Sequence, residues 1–510
     1  MSSNDFKNTN KLNYINVSRD GNFHKTGKVQ TIPKDIDNII QHIKDKPEIK
    51  KILIHFHGGL NNEDSGMESA ECFYNNFKEV KDTLAVTVVW ETGIDDVFLK
   101  KFKNEIELID DFIDMIVKVG KFIGKKFKKE DINLDKDSPI NKDFFKTIME
   151  HESGFEGEYL EKSNLNNKLK SYYNKKNFQP YSFSSLHKII FQEITGSKLT
   201  KKKRLEFLSK DKRRTQDKVN AAAGGWTVSY IASRCLWRIL KGRNHGIWPT
   251  IIEEVCIHYR IAYIGANIWD SMKSQAKVMW KSNSGLKGID QYAGRYFLDR
   301  LNEHCLENNL EIHVVGHSAG AIAVCEWLLA ITKESDNYVK FKFNNIIFLA
   351  PACRCDLFNS AIIDIHDSSH YSRKFYHRFR MFTMDDEHES HDNLIKIPIL
   401  KYIYPRSLLY LISGILEFKK VKKKKRVAFD AFIGGLERHI TLRSAYKKKK
   451  LLRKVAKFLE LNNSEEIRLV TSPSNYDSSK YPDRQTTATH HGGFAKNCEV
   501  VSSIKSLIKN

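Results

Sequence analysis

The sequence predicts an α/β protein with a mostly parallel central sheet, interrupted by a large helical, lysine-rich insertion. Short apolar runs alternate with helix-like patterns near both ends of the chain, and each run stops at a polar or glycine-containing loop. Such continuous apolar runs are typical of strands that are covered on both faces, as in a parallel sheet. From Thr92 to about Ala223 the sequence is instead polar, lysine-rich and poor in β-branched runs.

The first predicted unit is strand, helix, strand. Residues 51–56, KILIHF, form an apolar strand that leads into the turn-rich segment HGGLNNEDSG. A helix is expected from Met67 to Val80, and the apolar run LAVTVVW at 84–90 predicts the second strand. This spacing indicates a parallel βαβ unit.

The insertion contains one strongly amphipathic segment, residues 97–128. Its apolar residues recur at steps close to three and four: Phe98, Phe102, Ile106, Ile109, Ile113, Ile116, Ile123 and Phe127. This pattern fits a helix packed on the core, and it also fits a lid or a helix lying on a membrane surface. Both interpretations stay open at this point.

The strand and helix patterns return in the second half of the chain. A helix is expected over about 289–306 and a strand over 312–315, followed by a helix over 319–330. Further strands are expected within 344–352, 379–384 and 467–472. We therefore divide the chain into residues 1–91 and 251–510, which build the sheet domain, and a helical insertion over 92–250.

The charge is strongly basic and unevenly distributed. The 510 residues carry 84 Lys and Arg against 62 Asp and Glu, a formal charge of +22, with lysine-rich runs at 201–204, 210–214, 419–426 and 447–450. Such runs favour an anionic membrane surface as partner, or they are a solvated surface. A nucleic-acid partner is disfavoured, because no nucleic-acid fold signature accompanies the runs. The sequence gives no indication of oligomeric state.

Targeting and cofactor signals are few. No apolar stretch reaches the roughly eighteen residues of a spanning helix, and the first residues lack a signal-peptide core, so we expect a cytoplasmic protein. The basic runs leave open a peripheral association with a membrane. The eight cysteines predict reduced thiols, since Cys353 and Cys355 lack a second pair for zinc. No metal and no cofactor is predicted.

The chemistry is indicated first by residues 312–324, IHVVGHSAGAIAV. Ser318 lies between Gly316 and Gly320, where an apolar strand stops and a helix begins. A turn of this kind exposes the serine oxygen and leaves no room for side chains at the flanking positions. Ser318 is therefore the predicted nucleophile.

A serine nucleophile needs amide donors for an oxyanion, an acid and a base, which in one common arrangement follow the chain order oxyanion loop, serine, acid, histidine. The sequence has HGGL at 57–60, DDEHESHD at 385–392 and HHGGF at 490–494 in that order. The predicted catalytic residues are Ser318, Asp386 and His491, with Asp385 and His490 as fallbacks and the amides of Gly59 or Leu60 and of Ala319 as the oxyanion hole.

These motifs, together with FLAPA at 348–352 and YPRSLLYLISGILE at 404–417, resemble a group of poorly characterised microbial α/β-hydrolases related to lipases and esterases. The resemblance covers 51–90 and roughly 255–500. It implies that the acid is the aspartate opening D-E-x-E-x-x-D, Asp386, and that the base is the histidine before Gly-Gly, His491. The expected function is hydrolysis of a carboxylic ester, most plausibly of a lipid. An amidase or peptidase, or a catalytically silent binding protein of the same fold, is the alternative.

Overall fold

The computed structural model describes residues 10–23, 29–59, 62–90, 221–240, 245, 247–259, 261–367, 374–392, 406–417, 433–435, 450–459 and 467–509. All structural statements below concern these residues. The segment 97–128 and almost all of the four basic runs lie outside them, so the interpretations of these segments stay predictions.

A seven-stranded sheet forms the centre of the molecule, and every neighbouring pair of strands is parallel. The strands are β1 (Tyr14–Val17), β2 (Lys51–Phe56), β3 (Thr83–Trp90), β4 (Glu311–His317), β5 (Phe343–Leu349), β6 (Tyr376–Met384) and β7 (Leu469–Ser472). Their order across the sheet is β1-β3-β2-β4-β5-β6-β7. A parallel sheet brings the carboxyl ends of all its strands to one edge, where loops can combine.

The described α-helices are α1 (Pro33–Asp45), α2 (Glu63–Phe77), α3 (Ala221–Leu240), α4 (Ile247–His258), α5 (Ile261–Val278), α6 (Ala293–Glu307), α7 (Gly320–Lys333), α8 (Cys355–Phe358), α9 (Asp364–Asp367), α10 (Asp386–His391), α11 (Leu408–Leu411), α12 (Lys450–Leu459) and α13 (Cys498–Lys509). A π-helical turn, Ile412–Leu416, continues α11, and a 3₁₀ turn, His491–Lys496, precedes α13.

Helices cover both faces of the sheet. Alternate residues of β2 point to opposite faces: Ile52 and Ile54 join one apolar cluster, and Leu53 joins another. The first cluster includes residues of α1 and of α3 to α7, and the second includes residues of α2 and α13. All eight residues of β3 are buried, as expected for a strand in a three-layer α/β sandwich.

The predicted α/β class with a parallel sheet is confirmed. Every strand expected from an apolar run is present, and the run at 51–56 coincides with β2. The elements that were not predicted include the edge strand β1 and the helices α1, α5, α12 and α13. The described part of the predicted insertion, from residue 221 on, is helical, and α4 runs across the predicted boundary at residue 250.

Among the described residues, no helix is both long enough and apolar enough to cross a membrane.

Candidate active site

The loops that carry the predicted site residues meet at the carboxyl edge of the sheet. Strands β2 and β4 are direct neighbours, and Phe56 at the end of β2 is in register with Gly316 near the end of β4. The HGG segment that follows β2 therefore lies beside the turn that follows β4. The acidic segment follows β6, and the HHGG segment comes after β7.

The turn at Ser318 has the strained geometry that the sequence predicts. Ser318 has φ +52°, a left-handed conformation that non-glycine residues rarely adopt. A Cβ on Gly316 would lie 2.9 Å from the backbone of Ala321, and a Cβ on Gly320 would overlap the carbonyl oxygen of Phe56. The two glycines are thus required by close approach between β2, β4 and the start of α7.

The strained turn is fixed by backbone hydrogen bonds. The Ser318 amide donates to the Leu349 carbonyl at 2.8 Å, and the Ser318 carbonyl accepts from the Ala352 amide at 3.0 Å. Both partners belong to the end of β5 and the loop after it. The neighbouring strand therefore holds the serine in its conformation from both sides of the peptide unit.

Ser318 and His491 form a hydrogen-bonded pair. His491 Nε2 lies 2.7 Å from Ser318 Oγ. Burial lowers the pKa of His491 to about 3, with smaller effects in the same direction from His317 and His490. The ring is therefore neutral near pH 7, and if the serine hydroxyl donates to Nε2, the ring proton is on Nδ1. A neutral Nε2 in this position can accept the hydroxyl proton.

The backbone of His491 is held on both sides. Asp392 Oδ2 accepts a hydrogen bond from the His491 amide at 2.6 Å. His317 Nε2 donates to the His491 carbonyl at 3.0 Å. His317 was not predicted as a site residue, although it stands next to Ser318 in the sequence. These two contacts set the position of the base without touching its ring.

The carboxylates at 385 and 386 do not bond to the base in this structure. Among the described residues, His491 Nδ1 has no hydrogen-bond partner. Asp386 Oδ1 accepts from the Tyr410 hydroxyl. Asp385 caps α10 by accepting from the His388 amide at 2.7 Å, and it also contacts the His388 ring at 2.8 Å. The sequence assignment of Asp386 as acid, with Asp385 as fallback, thus stays a prediction.

Two further carboxyl groups lie in the same segment. Burial raises the pKa of Asp392, an effect opposed by the hydrogen bond from the His491 amide and by the charge of His490. Burial also raises the pKa of Glu389 to about 8, an effect opposed by a hydrogen bond from the Ser407 hydroxyl and supported by the nearby charges of the three aspartates of this segment. Near pH 7 the segment therefore contains two different groups. The carboxylate of Asp392 could pair with a cation, whereas the carboxyl of Glu389 is largely protonated.

The predicted oxyanion loop lies against the serine turn. A Cβ on Gly58 would be 3.3 Å from Ser318 Cβ, and a Cβ on Gly59 would be 3.1 Å from Ala319 Cβ. The structure therefore places Gly59 and Ala319 side by side. Their role as oxyanion donors stays a prediction. Leu60, the other predicted donor, lies outside the described residues.

His57 fixes the orientation of this loop. Its Nε2 accepts from the Trp90 amide at 3.2 Å, so Nδ1 carries the proton and donates to the Gly58 carbonyl at 2.8 Å. Burial lowers the pKa of His57 to about 4, which keeps the ring in this neutral form. Because a trans peptide points its C=O and N–H in opposite directions, the Gly59 amide is directed away from the His57 ring.

The pair is shielded from water. Ser318 is 4% exposed and His491 is 6% exposed. Helix α5 contributes to this cover, since a Cβ on Gly59 would lie 3.0 Å from the sulfur of Met272. The fallback base, His490, is exposed, and its ring packs over Gly493. His491, and not His490, is therefore the histidine that contacts Ser318.

Comparison with known proteins agrees with this architecture. A family model described as "Alpha/beta hydrolase of unknown function (DUF900)" matches residues 295–388, which extend from α6 through Ser318 to α10. No curated protein and no solved structure matches the chain. Within the described residues, no group of His, Cys, Asp and Glu side chains is arranged to hold a metal ion. The matched segment and the parallel sheet together identify the fold as that of an α/β-hydrolase.

Proposed function

We propose that this protein is a serine hydrolase that cleaves carboxylic esters through an acyl-enzyme intermediate. The observation that supports this most directly is the 2.7 Å contact between Ser318 Oγ and the neutral Nε2 of His491, at a strained turn beside two glycines. The similarity to α/β-hydrolases over 295–388 supports hydrolase activity in general. The preference for an ester is our own proposal.

In the proposed reaction, His491 Nε2 takes the proton of the Ser318 hydroxyl while Oγ bonds to the substrate carbonyl carbon. The carbonyl oxygen becomes an oxyanion that the amides of Gly59 and Ala319 stabilise. The C–O bond to the leaving alcohol then breaks, and His491 returns the proton to that alcohol. Water repeats the sequence on the acyl-enzyme, which releases the carboxylic acid and restores Ser318.

An acid is needed to stabilise the imidazolium that forms at His491. Asp386 is the residue favoured by the sequence, and we retain it as a candidate. Asp392 has the support of a direct contact, because its carboxylate accepts from the amide of His491 itself at 2.6 Å. In this structure the carboxylate contacts the backbone of His491 and not Nδ1, so it would have to turn towards the ring to act as the acid. Because of its contact with the backbone, we propose Asp392 as the first candidate for the orienting acid.

The substrate we propose is amphiphilic, with an acyl chain. Ser318 and His491 are nearly buried, and the apolar side chain of Met272 lies against Gly59 in the oxyanion loop. An apolar acyl group would therefore suit the space beside these residues. The basic runs would favour an anionic lipid surface. There are two alternatives. One is an amidase or peptidase that uses the same residues, and the other is a binding protein of this fold without catalytic activity.

The experiment that tests the proposal is labelling with a fluorophosphonate probe, which reacts covalently with an activated serine. We expect the wild type to be labelled and Ser318→Ala to be unlabelled. Ser284→Ala, at an exposed loop position, is the matched control and should be labelled like the wild type. Equal labelling of Ser318→Ala and wild type would refute the nucleophile, and an unlabelled wild type would favour the silent protein.

Paired substrates separate an esterase from an amidase. An aryl ester and the anilide of the same acid differ only in the bond that is cleaved. We expect turnover of the ester by the wild type, lost in Ser318→Ala, and at most slow turnover of the anilide. A higher kcat/KM for the anilide would assign the amidase alternative.

A further inference from the structure

A polar cavity lies at the edge of the sheet where the strands begin, opposite the edge that carries Ser318. Its volume is about 410 Å³, and it is lined by the first residues of four neighbouring strands and by the end of α13. The lining side chains used below are those of Lys51, His313, Asn345, His377, Arg378 and Lys509. Because β4 begins at this cavity and ends at Ser318, the cavity is separated from the candidate active site by the length of a strand.

The cavity has a positive electrostatic environment. Lys51, Arg378 and Lys509 are cations in its wall. The pKa of His377 is lowered by burial and by the charges of Lys342, Lys374 and Arg378, so further cations lie within electrostatic reach. Several like charges brought together without full compensation create a site for an anion.

Two buried polar side chains in the wall have unused hydrogen-bonding atoms. Asn345 Nδ2 donates to His313 Nδ1 at 2.8 Å and to the Leu507 carbonyl at 3.1 Å. His313 therefore carries its proton on Nε2, as a neutral ring whose pKa burial lowers to about 4. Neither His313 Nε2 nor Asn345 Oδ1 has a hydrogen-bond partner among the described residues. Buried polar atoms of this kind are normally satisfied, so a bound group is expected there.

The negative charges nearby compensate only part of the positive charge. Glu311 lines the cavity, and its carboxylate is 3.5 Å from His313 Nε2. Asp82 pairs with Lys51 at 3.0 Å. No described contact pairs Lys509 with an acid, and Lys509 and Arg378 are both exposed at the cavity mouth. Lys509 is therefore a cation of the wall whose charge can face a bound anion, with Arg378 beside it at the mouth.

We infer that this cavity binds a phosphate-bearing ligand. Arg378 and Lys509 would contact the phosphate oxygens, and His313 Nε2 would donate a hydrogen bond to one of them. Asn345 Oδ1 would accept from a hydroxyl group of the same molecule, so a phosphorylated polyol fits the wall better than inorganic phosphate alone. A free sugar phosphate and the headgroup of a phosphoinositide lipid share this chemistry. The inference does not depend on the proposed ester hydrolysis.

The test measures binding of soluble inositol phosphate and of glycerol phosphate to the full chain by calorimetry. We expect saturable binding to the wild type and binding at least about tenfold weaker to Arg378→Gln/Lys509→Gln, since two charge-assisted hydrogen bonds are removed. Both residues are exposed, so the variant should fold. The matched control, Lys287→Gln, removes an exposed lysine elsewhere and should bind like the wild type.

A second measurement reports the location of the ligand without any substitution at the cavity. In the NMR spectrum of the wild type, the ring signals of His313 and His377 should shift on addition of inositol phosphate, while those of exposed His490 should not. Unchanged His313 and His377 signals, or equal binding by the double variant and wild type, would overturn the proposal.

Vesicles distinguish the two sources of phosphate. Phosphatidylcholine vesicles with and without phosphatidylinositol phosphate are compared for the wild type and the double variant. Binding that requires the phosphoinositide and is weakened in the double variant would identify a lipid headgroup. Binding of the soluble phosphates alone would identify a free metabolite, and binding of neither would overturn the proposal.

Discussion

His491 is held at both ends of its backbone, and its ring contacts Ser318 through Nε2. Its amide and carbonyl are bonded to Asp392 and His317, while Nδ1 has no partner among the described residues. An imidazolium formed in this geometry would lack a counter-charge. Catalytic hydrogen bonds in unliganded sites are often long and form only when substrate binds. We therefore expect a carboxylate to approach Nδ1 during turnover.

Substitution at Asp392 and at Asp386 should tell which carboxylate this is. We expect Asp392→Asn to lower kcat by on the order of 10⁴, as loss of a triad acid does. The asparagine oxygen can still accept the hydrogen bond from the His491 backbone N–H, so the substitution removes mainly the negative charge. Asp386→Asn should have a smaller effect, since Asp386 contacts Tyr410. The rates are measured with an aryl ester. The opposite order would support the sequence-based assignment of Asp386.

The oxyanion loop offers a second test at residue scale. Gly59→Ala would place a Cβ 3.0 Å from Met272 sulfur and 3.1 Å from Ala319 Cβ, which should displace the Gly59 amide. We expect kcat to fall by about 10²–10³, the usual cost of losing one oxyanion donor. Gly492→Ala is the matched control, because a Cβ there meets nothing within 4 Å. Similar rates for Gly59→Ala and Gly492→Ala would remove Gly59 from the proposed oxyanion hole.

At the scale of single elements, the sequence predicts most where apolar residues are continuous. β2 and β3 are such runs, and both were placed almost to the residue. β1 was missed because its short sequence, YINV, is surrounded by polar residues. Asn13 and Asn16 are buried, and their side-chain NH₂ groups donate to partners distant in the sequence: the Ala85 carbonyl for Asn13, and the Val29 carbonyl and Glu63 for Asn16. Such tertiary contacts leave no local pattern.

Helix α1 could have been found. Ile36, Ile39, Ile40 and Ile43 are buried at helical spacing, and Pro33 occupies the first turn. Which aspartate can serve as the acid, in contrast, depends on the residue at which α10 begins. Asp385 and Asp386 look equivalent in the sequence, yet Asp385 is used as the N-cap of α10, a role for which aspartate is well suited. Which carboxylate reaches the base is a matter of tertiary structure.

The close packing of α7 against β2 at Gly320 should make the protein's stability sensitive to any side chain at this position. Gly320→Val should cost more than about 3 kcal/mol of unfolding free energy, above the usual cost of overpacking, because the atom that the new Cβ overlaps is a backbone oxygen of β2. Urea unfolding followed by circular dichroism measures this cost. Gly492→Val serves as control and should change stability little. A Gly320→Val protein as stable as the control would contradict the close approach of α7 to β2.

Over the whole molecule, buried neutral histidines should make stability depend on pH. Burial lowers the pKa of His57 and His313 to about 4 and that of His491 to about 3, and it also lowers the pKa of His55 and His317. In the unfolded chain these groups bind protons below about pH 6.5, whereas the folded chain does not. Each buried histidine therefore lowers the free energy of unfolding by up to about 1.4 kcal/mol per pH unit as the pH falls below 6.5.

Carboxyl groups whose pKa is raised by burial oppose this trend, most strongly Glu389, with Asp392 and Glu326 acting in the same direction. Glu389, with its pKa raised to about 8, is protonated in the folded state first, and it adds stability as the pH falls from about 8 towards 4.5. Five histidines outweigh these carboxyl groups, so we expect the melting temperature to fall steadily between pH 6.5 and 4.5. Replacing exposed His391 with glutamine should leave the slope unchanged. A melting temperature that is constant over this range would show that the histidines are not buried in neutral form.

A buried ion cluster unites the helical region with the sheet. Arg238 of α3 is 3% exposed and pairs with Glu253 and Glu254 of α4. Glu253 also contacts the His245 ring at 2.8 Å and lies against Gly414 in the π-helical turn. The same segment includes Tyr410, which stacks on His245 and donates to Asp386. The cluster thus connects α3 and α4 to the acidic loop after β6.

Removing the arginine should therefore destabilise the whole molecule. Arg238→Met removes a buried guanidinium that pairs with both Glu253 and Glu254, while Glu254 keeps its contact with Arg234. We expect a loss of about 3–5 kcal/mol in unfolding free energy. Combining it with Glu253→Gln should restore part of that loss, because one uncompensated charge is removed. Arg234→Met is the matched control: its guanidinium is more exposed and its described ion pair is with Glu254, so the loss should be smaller. If α3 and α4 were an independent appendage, urea unfolding of Arg238→Met would instead split into two transitions, with that of the sheet unchanged.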